Sequence, residues 1–185
     1  MAPAFRYCIR FSGAGGQGLI QAARILAEAA AIYDNKNAAE SCSYGPEARG
    51  NASRAEIIVS DEAIDYPRAE SIDLLMVLTQ EAYEKNISDI GYQGTIVADS
   101  HVTMGDQPEG RKVYTVPFRE IAEKDCSRPG MVNIVALGFF AAVSGVIDRK
   151  SIRKAILARV PKKSEDIYIC AFEAGLKAAA EQGLK

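Results

Sequence analysis

The sequence predicts an α/β fold, a single domain with a sheet sandwiched between two layers of helices. Three observations carry that expectation. Strand-like and helix-like segments alternate through the first two-thirds of the chain, and helical patterns fill the last third. Ile72–Thr79 (IDLLMVLT) is a nearly continuous apolar run, the mark of a strand covered on both faces. Phe5–Ser12 (FRYCIRFS) alternates as a strand does, breaks at Gly13–Gly18 (GAGGQG) and passes into a helical pattern.

In chain order, Leu19, Ala23, Leu26 and Ala30 recur at helical spacing, with Gln21, Arg24 and Glu28 on the other face. They predict an amphipathic helix over about 16–32. Asp34-Asn35 punctuates, and a short strand follows at 38–43. Tyr44–Asn51 (YGPEARGN) holds two glycines and a proline and reads as a loop. Strands are expected at 52–60, 72–79, 94–99 and 112–116. Helices are expected at 80–87, 118–124, 132–144, 152–158 and 165–182. His101–Arg111 is the one loose stretch, so the whole chain, 1–185, reads as one domain.

Composition narrows the function. The 185 residues carry 22 Lys and Arg against 24 Asp and Glu, a net charge of −2. A chain that needs a basic face for phosphates is not expected from this balance, so nucleic acid is not an expected partner. The longest apolar stretch, Ile134–Val146, is interrupted by Gly138 and is well short of the ~20 residues of a membrane span. Nothing at the start of the chain reads as a secretory leader. Cys8, Cys42, Cys126 and Cys170 show no C-x-x-C spacing. They read as unpaired structural thiols of a cytoplasmic protein. With His101 the only histidine, a histidine-based zinc site is not expected.

Gly13, Gly15 and Gly18 satisfy G-x-G-x-x-G between a strand and a helix. Such glycines permit a tight turn, and the free N–H groups of the helix start offer partial positive charge to an anion. A nicotinamide site also requires a carboxylate at the end of the second strand. Here Asp34 precedes that strand, Glu40 lies within it, and it ends in Ser41-Cys42-Ser43-Tyr44. The turn therefore reads as a packing device, as a contact to a partner chain, or as a cradle for the anionic part of a ligand. A stand-alone nicotinamide-dependent oxidoreductase with a Rossmann-like sheet remains the alternative function.

The combination of motifs is more specific than either alone. Gly13-Ala14-Gly15-Gly16-Gln17-Gly18-Leu19 is followed by Ser43-Tyr44-Gly45-Pro46-Glu47-Ala48-Arg49-Gly50, then by Ala55–Glu62 (AEIIVSDE) and Pro67. Asn133-Ile134-Val135-Ala136-Leu137-Gly138 opens a later helix. From about Arg6 to Lys177 this succession resembles the gamma subunit of the 2-oxoacid:ferredoxin oxidoreductases. Its S-Y-G-P-E-x-R-G form is most similar to the 2-oxoglutarate branch rather than the pyruvate or branched-chain ones. Asn51 stands where the family often has another glycine.

The resemblance implies a subunit, inactive alone, of a cytoplasmic hetero-oligomer that oxidatively decarboxylates a 2-oxoacid to an acyl-coenzyme A and reduces ferredoxin or a similar acceptor. Thiamine diphosphate would be held by alpha and beta subunits, and iron–sulfur clusters by others, including a ferredoxin-like delta subunit. This chain would hold no cofactor or metal alone and supply no catalytic residue. Gly105-Asp106-Gln107-Pro108 lacks the continuation of a thiamine motif, in keeping with that division. The resemblance assigns a place in the coenzyme A environment to two loops: Gly13, Gly15, Gly16, Gln17 and Gly18 in the first, and Tyr44, Gly45, Glu47, Arg49 and Gly50 in the second. Arg49 suits a carboxylate or phosphate, which its planar fork grips at two points. Glu47 orients Arg49 or pairs with it internally. Isolated, such a chain is expected to pair with its own copy through an empty docking face.

Three further features have plainer readings. Asn133 at a helix start is expected to cap backbone N–H groups. Ser100 and His101 follow a buried strand at its carboxyl end, where α/β proteins place ligands; the plainer reading is a surface histidine. Phe139, Phe140 and Val143 read as core or interface.

Overall fold

The computed structural model describes residues 5–43, 52–106 and 110–184. Among these, six strands form one sheet in the order β2-β3-β1-β4-β5-β6. They are β1 (Arg6–Ala14), β2 (Asn37–Ser43), β3 (Ala52–Ser60), β4 (Ile72–Val77), β5 (Ile90–Asp99) and β6 (Lys112–Val116). β1, β4, β5 and β6 are parallel neighbours, whereas β3 runs antiparallel to both β1 and β2. Five strands thus point one way and β3 alone is reversed. The sheet is mostly parallel, as the pattern predicts, with one inverted strand second from an edge.

The helices are α1 (Leu19–Glu28), α2 (Gln80–Asn86), α3 (Phe118–Cys126), α4 (Val132–Ser144), α5 (Arg149–Arg159) and α6 (Glu165–Glu181). α1 and α3–α6 bury one face of the sheet, where Ile9, Phe11, Ile57, Leu74 and Met76 meet Leu26, Phe140 and Phe172. The other layer is thin. There α2 places Ala82 and Tyr83 on Cys8, Ile58, Leu75 and Val77, helped by Ile64 and Met104 from the connections. β4 contributes to both clusters, as its continuous apolar run requires.

Element boundaries follow the sequence closely, with two informative departures. α1 begins at Leu19 rather than near residue 16, because Gly16 (φ 88°) and Gly18 (φ 74°) sit in left-handed conformations that no helix contains. It also ends early: Ala29–Tyr33 widens into a π-helical turn. α4 and α6 cross closely. A methyl group placed on Gly138 would collide with the carbonyl oxygen of Phe172, and one on Gly175 with that of Val135. Gly138, which merely interrupts an apolar run in the sequence, is the point where two backbones touch.

β1 shows how a polar residue enters the interior. Its Arg6, Cys8, Arg10 and Ser12 side reads as solvent-facing, yet Arg10 is only 4% exposed. Arg10 lies directly across from Glu56 on β3, and its Nη2 is 2.7 Å from Glu56 Oε1. It also pairs with Asp89 and donates to Asn86 Oδ1 over 3.1 Å. Asn86 Nδ2 in turn donates to Ala82 O (2.6 Å) and Ser12 Oγ (3.2 Å). The Arg10 guanidinium holds the Asp89 carboxyl below its ordinary value of 3.8, with partial burial opposing. A carboxyl depressed by folding stabilises the fold above its unfolded value, and that support fades as pH falls through the lower folded one.

A one-residue slip of β1 on β3 would strand two buried charges, so this pair pins the register. Glu56→Ala is expected to destabilise the domain by about 3 kcal/mol, because Arg10 loses its most buried partner. The check is a urea titration, in which the midpoint falls while the slope is kept.

Candidate functional site

The glycine turn joins β1 to α1. Gln17 N–H donates to Ala14 O (3.3 Å), and Gln17 Oε1 accepts from Ala14 N–H (2.7 Å), so the glutamine closes the turn on both sides. Gly13 is required by contact: a Cβ there would strike Gln17 Oε1 and press on Leu78 and Leu19. Gly16 is required by conformation alone, since a Cβ there meets nothing within 4 Å. Gly15 and Gly16 are exposed, so the outer rim of the turn is open backbone.

Asn133 does not cap its helix. It is the second residue of α4, and its Nδ2 donates to Gly18 O (3.1 Å) and Gln21 Oε1 (3.2 Å) on α1. The N-cap of α4 is Met131, which has no capping side chain. Asn133 is therefore a strap between the starts of two helices, and it sits where a Cβ on Gly18 would lie, 2.5 Å from Nδ2. The capping expectation fails because a 3₁₀ turn at Pro129–Met131 leads directly into α4. That places Asn133 inside the helix.

Tyr44, Gly45, Glu47, Arg49 and Gly50 lie outside the described residues, but the strands bearing their loop do not. Gly13 pairs with Ser53 and Ala14 with Ala52, so β3 starts beside the glycine turn. Ser43, the last residue of β2, pairs with Arg54. Neighbouring strands lie about 4.8 Å apart. Both ends of the Tyr44–Gly50 loop therefore leave the sheet at the corner where the glycine turn leaves it.

Beside that corner, at the carboxyl ends of β4 and β5, is a cleft of about 540 Å³ lined by Gln17, Thr79, Asp99, His101, Arg119 and Val132, with Glu120 and Glu123 on the same wall. Arg119, in the first turn of α3, is exposed and has no ion-pair partner among the described residues. It also borders the shallower hollow formed with Gly16, Gln17 and Gly130. His101 is a surface residue, as the plainer reading holds, yet it is oriented. Its Nδ1 is 2.8 Å from Asp99 Oδ1, and its backbone N–H donates to the same oxygen (3.1 Å). A carboxylate oxygen only accepts, so Nδ1 is the donor and Asp99 fixes the orientation of the ring. Arg119 has no signal in the sequence, because only the return of the chain after β6 brings α3 to the glycine turn.

The nicotinamide alternative loses its second half in this topology. A dinucleotide fold needs β2 parallel and adjacent to β1. Here the reversed β3 lies between them. Asp34 is also committed elsewhere: its carboxylate accepts from Lys36 Nζ (2.9 Å), Asp148 N–H (3.0 Å) and Ser151 Oγ (2.8 Å), joining the end of α1 to the start of α5. Burial raises its pKa, but these donors outweigh that and hold it below the ordinary value. The four cysteines do not converge on one point either. Cys8 faces the thin layer, Cys42 lies exposed on β2, and Cys126 and Cys170 meet only each other. Among the described residues no group of three or more His, Cys, Asp and Glu is arranged to hold a metal, and no helix is long and apolar enough to cross a membrane.

Fold and corner together define a class: an α/β domain with a single reversed strand, which sets a glycine turn and a second loop side by side. The profile of the pyruvate ferredoxin/flavodoxin oxidoreductase family matches residues 8–178, and the chain belongs to that family. It is 43% identical to the 2-oxoglutarate synthase subunit KorC of Methanocaldococcus jannaschii over 94% of both chains. The pyruvate synthase subunit PorC of the same organism is 33% identical over 80% of this chain and 83% of its own. Among solved structures, the gamma subunit of a keto/oxoacid ferredoxin oxidoreductase from Geobacter sulfurreducens superposes with a TM-score of 0.87 at 42% identity, covering 96% of this chain and 98% of that one. The fold also recurs within a longer chain, the 2-oxoglutarate:ferredoxin oxidoreductase of Magnetococcus marinus, solved with 2-oxoglutarate, coenzyme A and succinyl-CoA bound. There the TM-score is 0.84 at 21% identity, over 95% of this chain and 31% of that one.

The strap yields a quantitative expectation. Gly18→Ala combines left-handed strain of about 1–2 kcal/mol with a clash against Asn133. Asn133→Ala removes the bonds to the Gly18 carbonyl, which keeps the Ala22 N–H, and to Gln21 Oε1, at about 1 kcal/mol. In the double variant the clash is gone, so the combined loss should fall short of the sum by at least about 1 kcal/mol in a double-mutant cycle of unfolding.

Proposed function

We propose that this chain is the gamma-type subunit of a multi-subunit 2-oxoacid:ferredoxin oxidoreductase of the 2-oxoglutarate branch, working in the cytoplasm. Its alpha and beta partners would bind thiamine diphosphate. A ferredoxin-like delta subunit would carry iron–sulfur clusters to ferredoxin or a similar acceptor. The higher identity to 2-oxoglutarate synthase subunits than to a pyruvate synthase subunit supports the branch.

Within the complex, Gly13–Gly18 and Tyr44–Gly50 form one wall of the coenzyme A environment. The observation that carries this reading is that both motif loops leave the sheet at one corner. The residues there suit an anionic substrate. Exposed backbone at Gly15 and Gly16 offers N–H groups without steric cover. Arg119 adds an uncompensated positive charge, and Arg49 a second on the neighbouring loop. The chain's task is to bind and orient one substrate; the decarboxylation and the electron transfer belong to groups on other subunits.

Co-expression with candidate alpha, beta and delta chains tests the assignment. The complete set should reduce ferredoxin in the presence of 2-oxoglutarate and coenzyme A, and the set lacking this chain should not. Undiminished activity without it would overturn the proposal. In the complete complex, Arg49→Lys should raise KM for coenzyme A about 10-fold through loss of two-point contact, with all subunits still co-purifying. Lost assembly at unchanged KM would place Arg49 in a subunit contact instead.

A further inference from the structure

Two thiols that lie 44 positions apart in the sequence meet at one point of the fold. Cys126 is the last residue of α3 and Cys170 lies in the first half of α6, and their Sγ atoms are 2.8 Å apart. Cys170 Sγ also donates to Asp125 O over 3.3 Å. The two therefore form a directed chain, with the Cys126 S–H pointing at Cys170 Sγ and the Cys170 S–H pointing at a backbone carbonyl. Both residues are partly exposed, so a small reagent reaches them. A disulfide has its sulfurs about 2.05 Å apart, less than 1 Å closer than they already lie.

We propose that Cys126 and Cys170 form a modification site, a dithiol that closes to an intramolecular disulfide by exchange with a small-molecule disulfide. Cys170 loses its proton and its thiolate attacks one sulfur of the reagent, releasing one small thiol and leaving a mixed disulfide. Cys126 then loses its proton and attacks Cys170 Sγ, releasing the second small thiol. The protein gives up two protons and two electrons, and the reagent is reduced to two thiols. The order follows from the environment. The Cys126 S–H donates to Cys170 Sγ and so stabilises a thiolate there, which makes Cys170 the initiator, and burial and the neighbouring sulfur raise the Cys126 thiol above its ordinary value.

The closed ring would run from the end of α3 through Pro129–Met131, α4 and α5 into α6. It encloses Asn133, the strap on the glycine turn, and it anchors α3, which carries Arg119. Oxidation therefore braces the wall of the cleft without touching it. This inference is independent of the function proposed above.

The test uses the full-length chain in a Cys42→Ser background, which removes the exposed thiol, equilibrated with mixtures of reduced and oxidised glutathione. The expected product is two hydrogens lighter, with the Cys126 and Cys170 peptides joined in a non-reducing map and Cys8 still free. Its Tm should rise on the order of 10 °C over the reduced form, since a ring of this length restricts the unfolded chain. Amide exchange should slow across 118–133. Cys170→Ser should show neither change, and its folding is checked by the Tm of its reduced form. Stable single glutathione adducts with no joined peptide would overturn the proposal. So would joining that requires denaturant, or a joined form whose Tm does not rise.

Discussion

The buried ion pair between Arg10 and Glu56 is the contact on which the arrangement rests. The two residues face each other across β1 and β3, and a guanidinium in that interior tolerates no shift of pairing. With the register set there, Ala14 falls opposite Ala52, and the glycine turn and the second loop start from neighbouring backbone. The same pair fixes the reversed strand, second from one edge, against the parallel part of the sheet. The thin layer adds Asn86 and Asp89, which both accept from Nη1 of Arg10. A purely apolar β1–β3 seam would pack comparably well but would not distinguish its register from one shifted by two residues.

A second constraint works from the opposite side of the sheet. α4 is apolar nearly all round and lies buried between α6 and the sheet. Its close approach to α6 depends on Gly138 and Gly175. That approach seats the start of α4 against α1, where Asn133 can reach the Gly18 carbonyl. The position of the glycine turn is thus decided partly by helix packing well away from it. This explains how a loop with two left-handed glycines keeps one conformation. Gln17 ties it from within, Asn133 from outside, and Leu78 closes its floor.

One cleft gathers the outcome of these constraints: Gln17 of the turn, an oriented His101, and an exposed Arg119 that has no ion pair among the described residues. Cys42 lies next to this corner on β2, and the two cysteines that meet do so away from it, between α3 and α6. The same fold is found both as a separate subunit and as about a third of a longer chain.

Local pattern was enough for much of this protein. Helical spacing in α1, the apolar run of β4 and the boundaries of β3, β6 and α4 are legible because each reports how a short segment meets the core. The glycine turn was equally legible, since it carries its backbone demands in its own glycines. Non-local matters were not legible. The alternation of β1 suggests a wet face, yet Arg10 is buried, because a partner 46 positions away neutralises it. Asn133 resembles a cap and is a strap, because α1 lies beside it only after the chain has returned. Arg119 and the Cys126–Cys170 contact give no sequence signal at all, for the same reason. Periodicity records which side of an element is buried, and only the folded chain decides which distant residue is buried against it.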